Sequence, residues 1–263
     1  MNDEVLRVEG ICKNFGGVVA VKDFSMQLSC GEIRGIIGPN GAGKTTIYNL
    51  ISNIYIRDSG RILINDVDTA GMPQEKVARL GLSRTFQNTR LYSGLSVLDN
   101  VKSAIDCTGD YNFIQAYLRT PKMRREEKRI AEEALYCLET AKLGKYANMR
   151  PGNLPYGIQR RLEIARALAM RPSVLMLDEP AAGLNPDEMY GLMDFIREIH
   201  DSFSLAILVI EHKMDLIMQL CDYIYVQNFG NTIAEGMADE VRNNPLVLEA
   251  YLGQEEDDVD AED

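Results

Sequence analysis

The sequence has no apolar stretch long enough to cross a bilayer. Charged or polar residues interrupt every hydrophobic run before the roughly 18–20 residues that a spanning helix needs. The opening residues, MNDEVLRVEG, lack the basic-then-apolar order of a secretory signal, which predicts a cytoplasmic chain. Cysteine is sparse: Cys12, Cys30, Cys107, Cys137 and Cys221 make an odd count without one C-x-x-C. That spacing argues for plain thiols in a reducing compartment and against a zinc site. Basic excess is missing too. The net charge is −11, and removing the seven acids of Glu255–Asp263 takes −11 to −4. A body without a cationic face argues against nucleic acid as a partner. No internal repeat is present, so the chain is one unit rather than an array.

What is present is ordinary globular material: 263 residues, 46% hydrophobic and 25% charged, enough to bury a full core. The first third reads as short strands, Val5–Val8, Val18–Val21 and Phe24–Leu28, with a turn at Phe15-Gly16-Gly17. Ile33–Ile37 is an apolar run stopped by Gly38-Pro39-Asn40-Gly41, and a helical pattern follows over Lys44–Asn53. Strand, glycine-rich loop and helix is the order of a phosphate-binding α/β unit. From Leu98 to Ala169 the character turns helical, with Ile130, Ala134, Leu138 and Ala141 at three- and four-residue steps. Strands resume at Val174–Leu177, Leu205–Ile210 and Tyr223–Val226, between helices near Pro186–His200 and Lys213–Leu220. A helical block between two α/β portions predicts two lobes. The basic piece Tyr117–Arg129 reads either as a solvated helix start or as a contact to a partner or lipid head groups.

Gly38-Pro39-Asn40-Gly41-Ala42-Gly43-Lys44-Thr45 fits G-x-x-x-x-G-K-[ST] in full, in the strand-to-helix setting the motif requires. Its glycines let successive N–H groups turn inward, and the helix N-terminus behind them completes an anion cradle that runs on to Thr46. Lys44 would reach the β- and γ-phosphates, and Thr45 would place a hydroxyl on Mg²⁺. The buried strand Val174–Leu177 ends in Asp178-Glu179. Alone, such a pair is as readily a helix cap. Beside an intact phosphate loop it reads as one carboxylate for Mg²⁺, through water, and one to polarise an attacking water.

These motifs occur in order with Gln87 in Arg84-Thr-Phe-Gln87, Leu154-Pro155-Tyr156-Gly157-Ile158, Gly183-Leu-Asn185 and a lone His212. The ordered set covers about residues 4–253 and resembles the nucleotide-binding subunit of an ATP-binding cassette (ABC) transporter. Finer matches point to the hydrophobic (branched-chain) amino-acid uptake branch: Asn14-Phe-Gly-Gly17, the segment Arg84–Leu91, the insert before Leu154, the signature tyrosine, and Leu248–Gly253. The resemblance implies an α/β fold, a P-loop NTPase (RecA-like) core with an antiparallel β subdomain and an inserted α-helical subdomain. The expected segments are a first catalytic part at 1–87, the helical subdomain at 88–165, a second catalytic part at 166–253, and an acidic tail at 254–263.

The same resemblance carries roles onto single residues. Phe15 matches the aromatic that stacks on adenine, although a core Phe would look the same. Gln87 matches the sensor of Mg²⁺ and the attacking water, and His212 the switch histidine on the γ-phosphate; His200 matches nothing. Glu179, Lys44, Gln87 and His212 would form the catalytic set, and Thr45, Gln87 and Asp178 the Mg²⁺ set. Asn185 stands where aspartate is commoner. The signature departs further, with Pro155 and Ile158 in place of serine and glutamine, so that Gly157 and the helix N-terminus are left to attract phosphate. ATP and Mg²⁺ are the implied cofactors. The implied partners are a second ATPase subunit, in a homo- or heterodimer, two membrane permeases that dock near Asn88–Asn100, and indirectly an external substrate-binding protein. Such a subunit lies peripherally on the inner face of the plasma membrane. Two rival readings are an ATPase for a lipid or lipopolysaccharide exporter and a non-transport ABC ATPase.

The tail permits a first prediction. Seven acids in nine residues repel one another and offer almost nothing apolar to bury. Deleting Glu255–Asp263 is expected to leave ATPase activity and the melting temperature nearly unchanged; a fall of many degrees would contradict this.

Overall fold

The computed structural model describes residues 3–87, 89–106 and 120–251. Asn88, Cys107, the start of the basic segment through Arg119, the motif end Leu252-Gly253 and the acidic tail lie outside the described residues. The chain divides into two compact units. One takes Met1–Arg84, Ser173–Ala182 and His200–Asp263, the other Thr85–Pro172 and Gly183–Ile199.

The first unit contains two sheets. Strands β1 (Glu4–Phe15) and β2 (Val18–Ser29) form a hairpin, and β1 also pairs with β4 (Ser59–Ile64), which pairs with β5 (Val67–Asp68). All three pairings are antiparallel. The sequence suggests two strands where β2 is one. Ile11 faces Phe24 while Lys13 faces Val21, so β2 carries an extra residue, and Asp23 takes φ 50 in this bulge.

The second sheet has the order β10-β9-β3-β8-β7-β6. Its members are β3 (Ile33–Ile37), β6 (Leu82–Arg84), β7 (Val174–Asp178), β8 (Ala206–Ile210), β9 (Tyr223–Asn228) and β10 (Asn231–Gly236). All pairings are parallel except that of β9 with β10. Strands covered on both faces need apolar residues at every position, and all five residues of β7 and of β8 are buried. Helices α1 (Lys44–Ile51), α2 (Gln74–Arg79), α7 (Met214–Leu220) and α8 (Ala238–Arg242) belong to this unit, and residues 245–251 are helical as well. One core joins the two sheets and α1, with Leu6, Ile11 and Phe24 from the first sheet, Met176, Leu208 and Ile210 from the second, and Ile47 and Tyr48 from α1.

The second unit is helical: α3 (Val97–Asp106), α4 (Pro121–Thr140), α5 (Tyr156–Leu168) and most of α6 (Pro186–Phe203). Thr120 caps α4 by accepting from the Met123 amide, with Pro121 in the first turn. Ile130, Ala134, Leu138 and Ala141 are all buried, as their spacing predicts. In the basic segment, Arg129 is paired with Glu126 and Glu133, whereas Arg124 and Arg125 stay exposed. A boundary at 165 would fall inside α5. Residues 183–199 belong with this unit because α6 is tied into it. The Arg161 guanidinium donates to the Gly191 carbonyl at 2.6 Å, and Lys142 meets Glu198 at 2.6 Å.

No helix among the described residues is long and apolar enough to cross a membrane. Leu208 lies in the middle of β8 with none of its surface exposed. Leu208→Ala is therefore expected to cost about 2–5 kcal/mol, the lost burial plus the cavity left behind. Urea denaturation measures it, and a cost under about 1 kcal/mol would show that the core around β8 closes up.

Candidate active site

The parallel register brings three loops to one edge of the sheet. Ile36 pairs with Ile210, and Ile210 with Asp178. The ladder runs one step further, since the Glu211 amide donates to the Ile36 carbonyl at 3.4 Å and the Glu179 amide to the Ile210 carbonyl at 2.9 Å. Gly38–Gly43, Asp178-Glu179 and Glu211-His212 therefore leave the sheet together, at the strand ends where α/β proteins bind ligands.

The phosphate loop is held by close backbone contacts that only glycine allows. Gly43 has φ 101, and a Cβ there would stand 2.3 Å from the Ala20 carbonyl oxygen; at Gly38, φ 151, it would stand 2.1 Å from that of Gln227. A cleft of about 370 Å³ opens above the loop, lined by Asn40–Thr46, Glu179, Phe229, and Val18, Val19 and Ala20 of β2. Lys44 is buried beneath it and donates to the carbonyls of Gly38 at 2.6 Å and Pro39 at 2.8 Å. Burial pushes its pKa down, and Glu179, Glu211 and Asp178 oppose that shift.

The carboxylates are fixed from several sides. Arg84, next to β7 in the sheet, stands 3.9 Å from Asp178 and is itself held by Asn49, by Ser52 and over the Tyr48 ring. Glu179 adopts φ 43, a left-handed conformation that a non-glycine residue keeps only when its neighbours impose it. His212 Nδ1 lies 3.9 Å from Glu179 Oε2 and 3.7 Å from Glu211 Oε2. Burial pushes the Glu211 carboxyl up, partly offset by the Ala181 amide it accepts from.

Phe15 is not among the residues lining the cleft. It ends β1 opposite Val18, which does line it, and packs edge-on against Tyr55 with ring centres 5.3 Å apart. Phe229, in the turn between β9 and β10, does line the cleft and is 81% exposed. Val18, Val19 and Phe229 carry no motif, so sequence patterning does not reveal them.

In the helical unit, Leu154 is buried, Pro155 is the N-cap of α5, and Tyr156, Gly157 and Ile158 form its first turn. Pro155 offers no side-chain cap, and the first amides of any helix lack intrahelical acceptors. Arg160 and Glu163, both buried on α5, face each other at 3.3 Å and hold the segment around Gln87. Arg160 donates to the carbonyls of Phe86 at 3.2 Å and Gln87 at 2.6 Å, while Glu163 accepts from the amides of Phe86 and Arg90. Asn185 begins α6 with a reciprocal cap, its side chain accepting from the Glu188 amide at 2.9 Å and its own amide donating to Glu188 at 3.3 Å.

Residues 21–182 match the ABC transporter family, and residues 231–257 match the family described as branched-chain amino acid ATP-binding cassette transporter. The chain belongs to the ABC transporter ATP-binding subunits. It is 42% identical over 97% of its length to the whole of the high-affinity branched-chain amino acid transport ATP-binding protein LivG of Escherichia coli. BraF of Pseudomonas aeruginosa, described in the same words, is 41% identical over the same span. Among solved structures, an ABC transporter cassette in its ADP conformation superposes with a TM-score of 0.81 at 30% identity, covering 95% of this chain and 99% of that one. The cassette is thus an ATPase on a P-loop NTPase fold.

The residues fit a hard divalent cation beside the nucleotide. The carboxylates of Asp178 and Glu179 lie at this edge of the sheet, close enough to act, with Glu211, on the buried Lys44 ammonium. Oxygen donors suit Mg²⁺, which keeps waters and substrate phosphates among its ligands. No cluster of three ligating His, Cys, Asp or Glu side chains occurs among the described residues.

The cap at Asn185 bears on its departure from aspartate. Both residues accept well at a helix N-cap, so Asn185→Asp is expected to leave stability within a few tenths of a kcal/mol, whereas Asn185→Ala costs about 1 kcal/mol. Denaturant melts of the two variants distinguish them, and equal stabilities would show that the cap contributes nothing.

Proposed function

We propose that this cassette powers the import of branched-chain or other hydrophobic amino acids. Two cassettes would close head-to-tail around two ATP molecules on the cytoplasmic side of a pair of permease subunits. The observation that carries the substrate class is the end-to-end likeness to LivG and BraF, together with the C-terminal match over residues 231–257.

In this reading the loop amides and Lys44 hold the β- and γ-phosphates, and the ammonium turns from the loop carbonyls to phosphate oxygens. Glu179, on the cleft wall, orients a water and takes up its proton as the water oxygen bonds to the γ-phosphorus and the bond to the ADP oxygen breaks. His212 hydrogen-bonds the γ-phosphate and Gln87 reports on it. Thr45, Gln87 and Asp178 would hold Mg²⁺, partly through water, and the ion would supply positive charge against the phosphate oxygens. Phe15 and Val18 would border the base. Leu154–Ile158 would face the partner's ATP, with Gly157 and the α5 N-terminus in place of the missing serine hydroxyl.

The test is uptake into vesicles holding the assembled transporter. Leucine, isoleucine or valine is expected to accumulate only with ATP inside reach of the cassettes. Glu179→Gln should retain ATP binding while single-turnover hydrolysis falls by about 10²-fold or more, as for loss of a positioned base. Unchanged turnover removes Glu179 from that role; ATP-dependent uptake of some other solute class, with none of these amino acids, overturns the substrate assignment.

A further inference from the structure

Glu211 lies between β8 and His212, and none of its surface is exposed. A carboxylate fully removed from water is costly unless donors meet its oxygens. Here the donors are main-chain amides from two loops. The Ala181 amide donates to one oxygen at 3.0 Å and the His212 amide to the other at 3.2 Å. The Lys213 amide adds a third contact. Between Glu179 and Ala181 stands Pro180, which has no N–H, so the Ala181 amide is the first main-chain donor after Glu179.

Two facts separate this carboxylate from the groups that meet the nucleotide. Glu211 is absent from the cleft walls, and its complete burial keeps it from touching phosphate or water there. Yet it sits between the segment that carries Glu179, whose φ of 43 needs outside support, and the segment that carries His212. His212 Nδ1 is near both acids, 3.9 Å from Glu179 and 3.7 Å from Glu211.

We propose that Glu211 is a positioning residue for hydrolysis, whose buried carboxylate fastens the Glu179 loop to the His212 loop and sets the separation of these two side chains. The proposal rests on the roles given above to Glu179 and His212. An aliphatic or amide side chain here would leave one or both loops without their shared anchor. Gln retains a single accepting oxygen, enough for one of the two amides; Ala retains none.

The assembled transporter carries the test. Glu211→Ala is expected to lower kcat for ATP by about 10- to 100-fold, the scale of a small misplacement of reacting groups, with KM unchanged within about twofold. Glu211→Gln should fall between Ala and the parent. The chain has two histidines, so ring NMR signals of the isolated full chain are assigned with one His200→Gln variant. The His212 signal is expected to move in both Glu211 variants. Parent-level kcat in Glu211→Gln with an unmoved His212 signal overturns the proposal, as does a loss confined to KM. Should Glu211→Ala melt far below the parent, Glu211→Gln decides by the same criteria. Glu179→Gln is measured alongside. Full turnover there removes the base reading and this proposal with it, whereas low turnover there with parent-like Glu211 variants sinks this proposal alone.

Discussion

The register of three parallel strands governs everything that follows in this molecule. Ile36, Ile210 and Asp178 stand in one row across β3, β8 and β7, and the backbone ladder continues one residue beyond each strand toward the next. A slip by one residue would turn every side chain of a strand to the other face of the sheet, and all five residues of β7 and of β8 are packed where they stand. With the row fixed, the phosphate loop, the acidic pair and the histidine leave the sheet side by side. Their chemistry then depends on a single buried ammonium placed among three carboxylates, an arrangement that works only while the strand ends stay level.

The sequence made this part legible because buried parallel strands are continuous apolar runs and glycine punctuates their ends. Ile33–Ile37 and its following loop and Val174–Asp178 could be placed from residue types alone, whereas His212 stands out only through the family resemblance. Strands β4, β6 and β10 could not. β4 begins with exposed Ser59-Gly60-Arg61, β6 is three residues long, and β10 lies at the sheet edge with mixed exposure. The apolar part of β4 is only Ile62–Ile64, and neither β6 nor β10 shows a hydrophobic run or a clean alternation. The bulge at Asp23 split one strand into two in the pattern, since an extra residue interrupts the period of two. The attachment of residues 183–199 to the helical unit rests on side-chain contacts such as Arg161 to Gly191, which no local pattern announces.

The candidate site was legible to a similar depth. The phosphate loop, Asp178-Glu179 and His212 leave the sheet at one edge. Phe15 ends β1 beside the cleft without lining it: its ring meets Tyr55 edge-on and stays 43% exposed, while its cross-strand neighbour Val18 faces the cleft. Glu211 shows the opposite. In sequence it is one more acid beside a histidine, and only burial and two amide partners from separate loops give it meaning. The left-handed Glu179 is equally silent in sequence, because a strained backbone is a property of its surroundings.

The charged pair inside α5 has a mechanical consequence. Arg160 and Glu163 grip the main chain of Phe86, Gln87 and Arg90, and both are nearly withdrawn from water. Letting go would strand two charges in a poorly polarisable interior, a penalty of about 3–5 kcal/mol for breaking such a pair. The segment around Gln87 and the helix that begins at Pro155 are therefore geared together. A tilt of that helix carries the main chain around Gln87 with it, because the two residues that hold this segment sit in the middle of α5 and move as the helix moves.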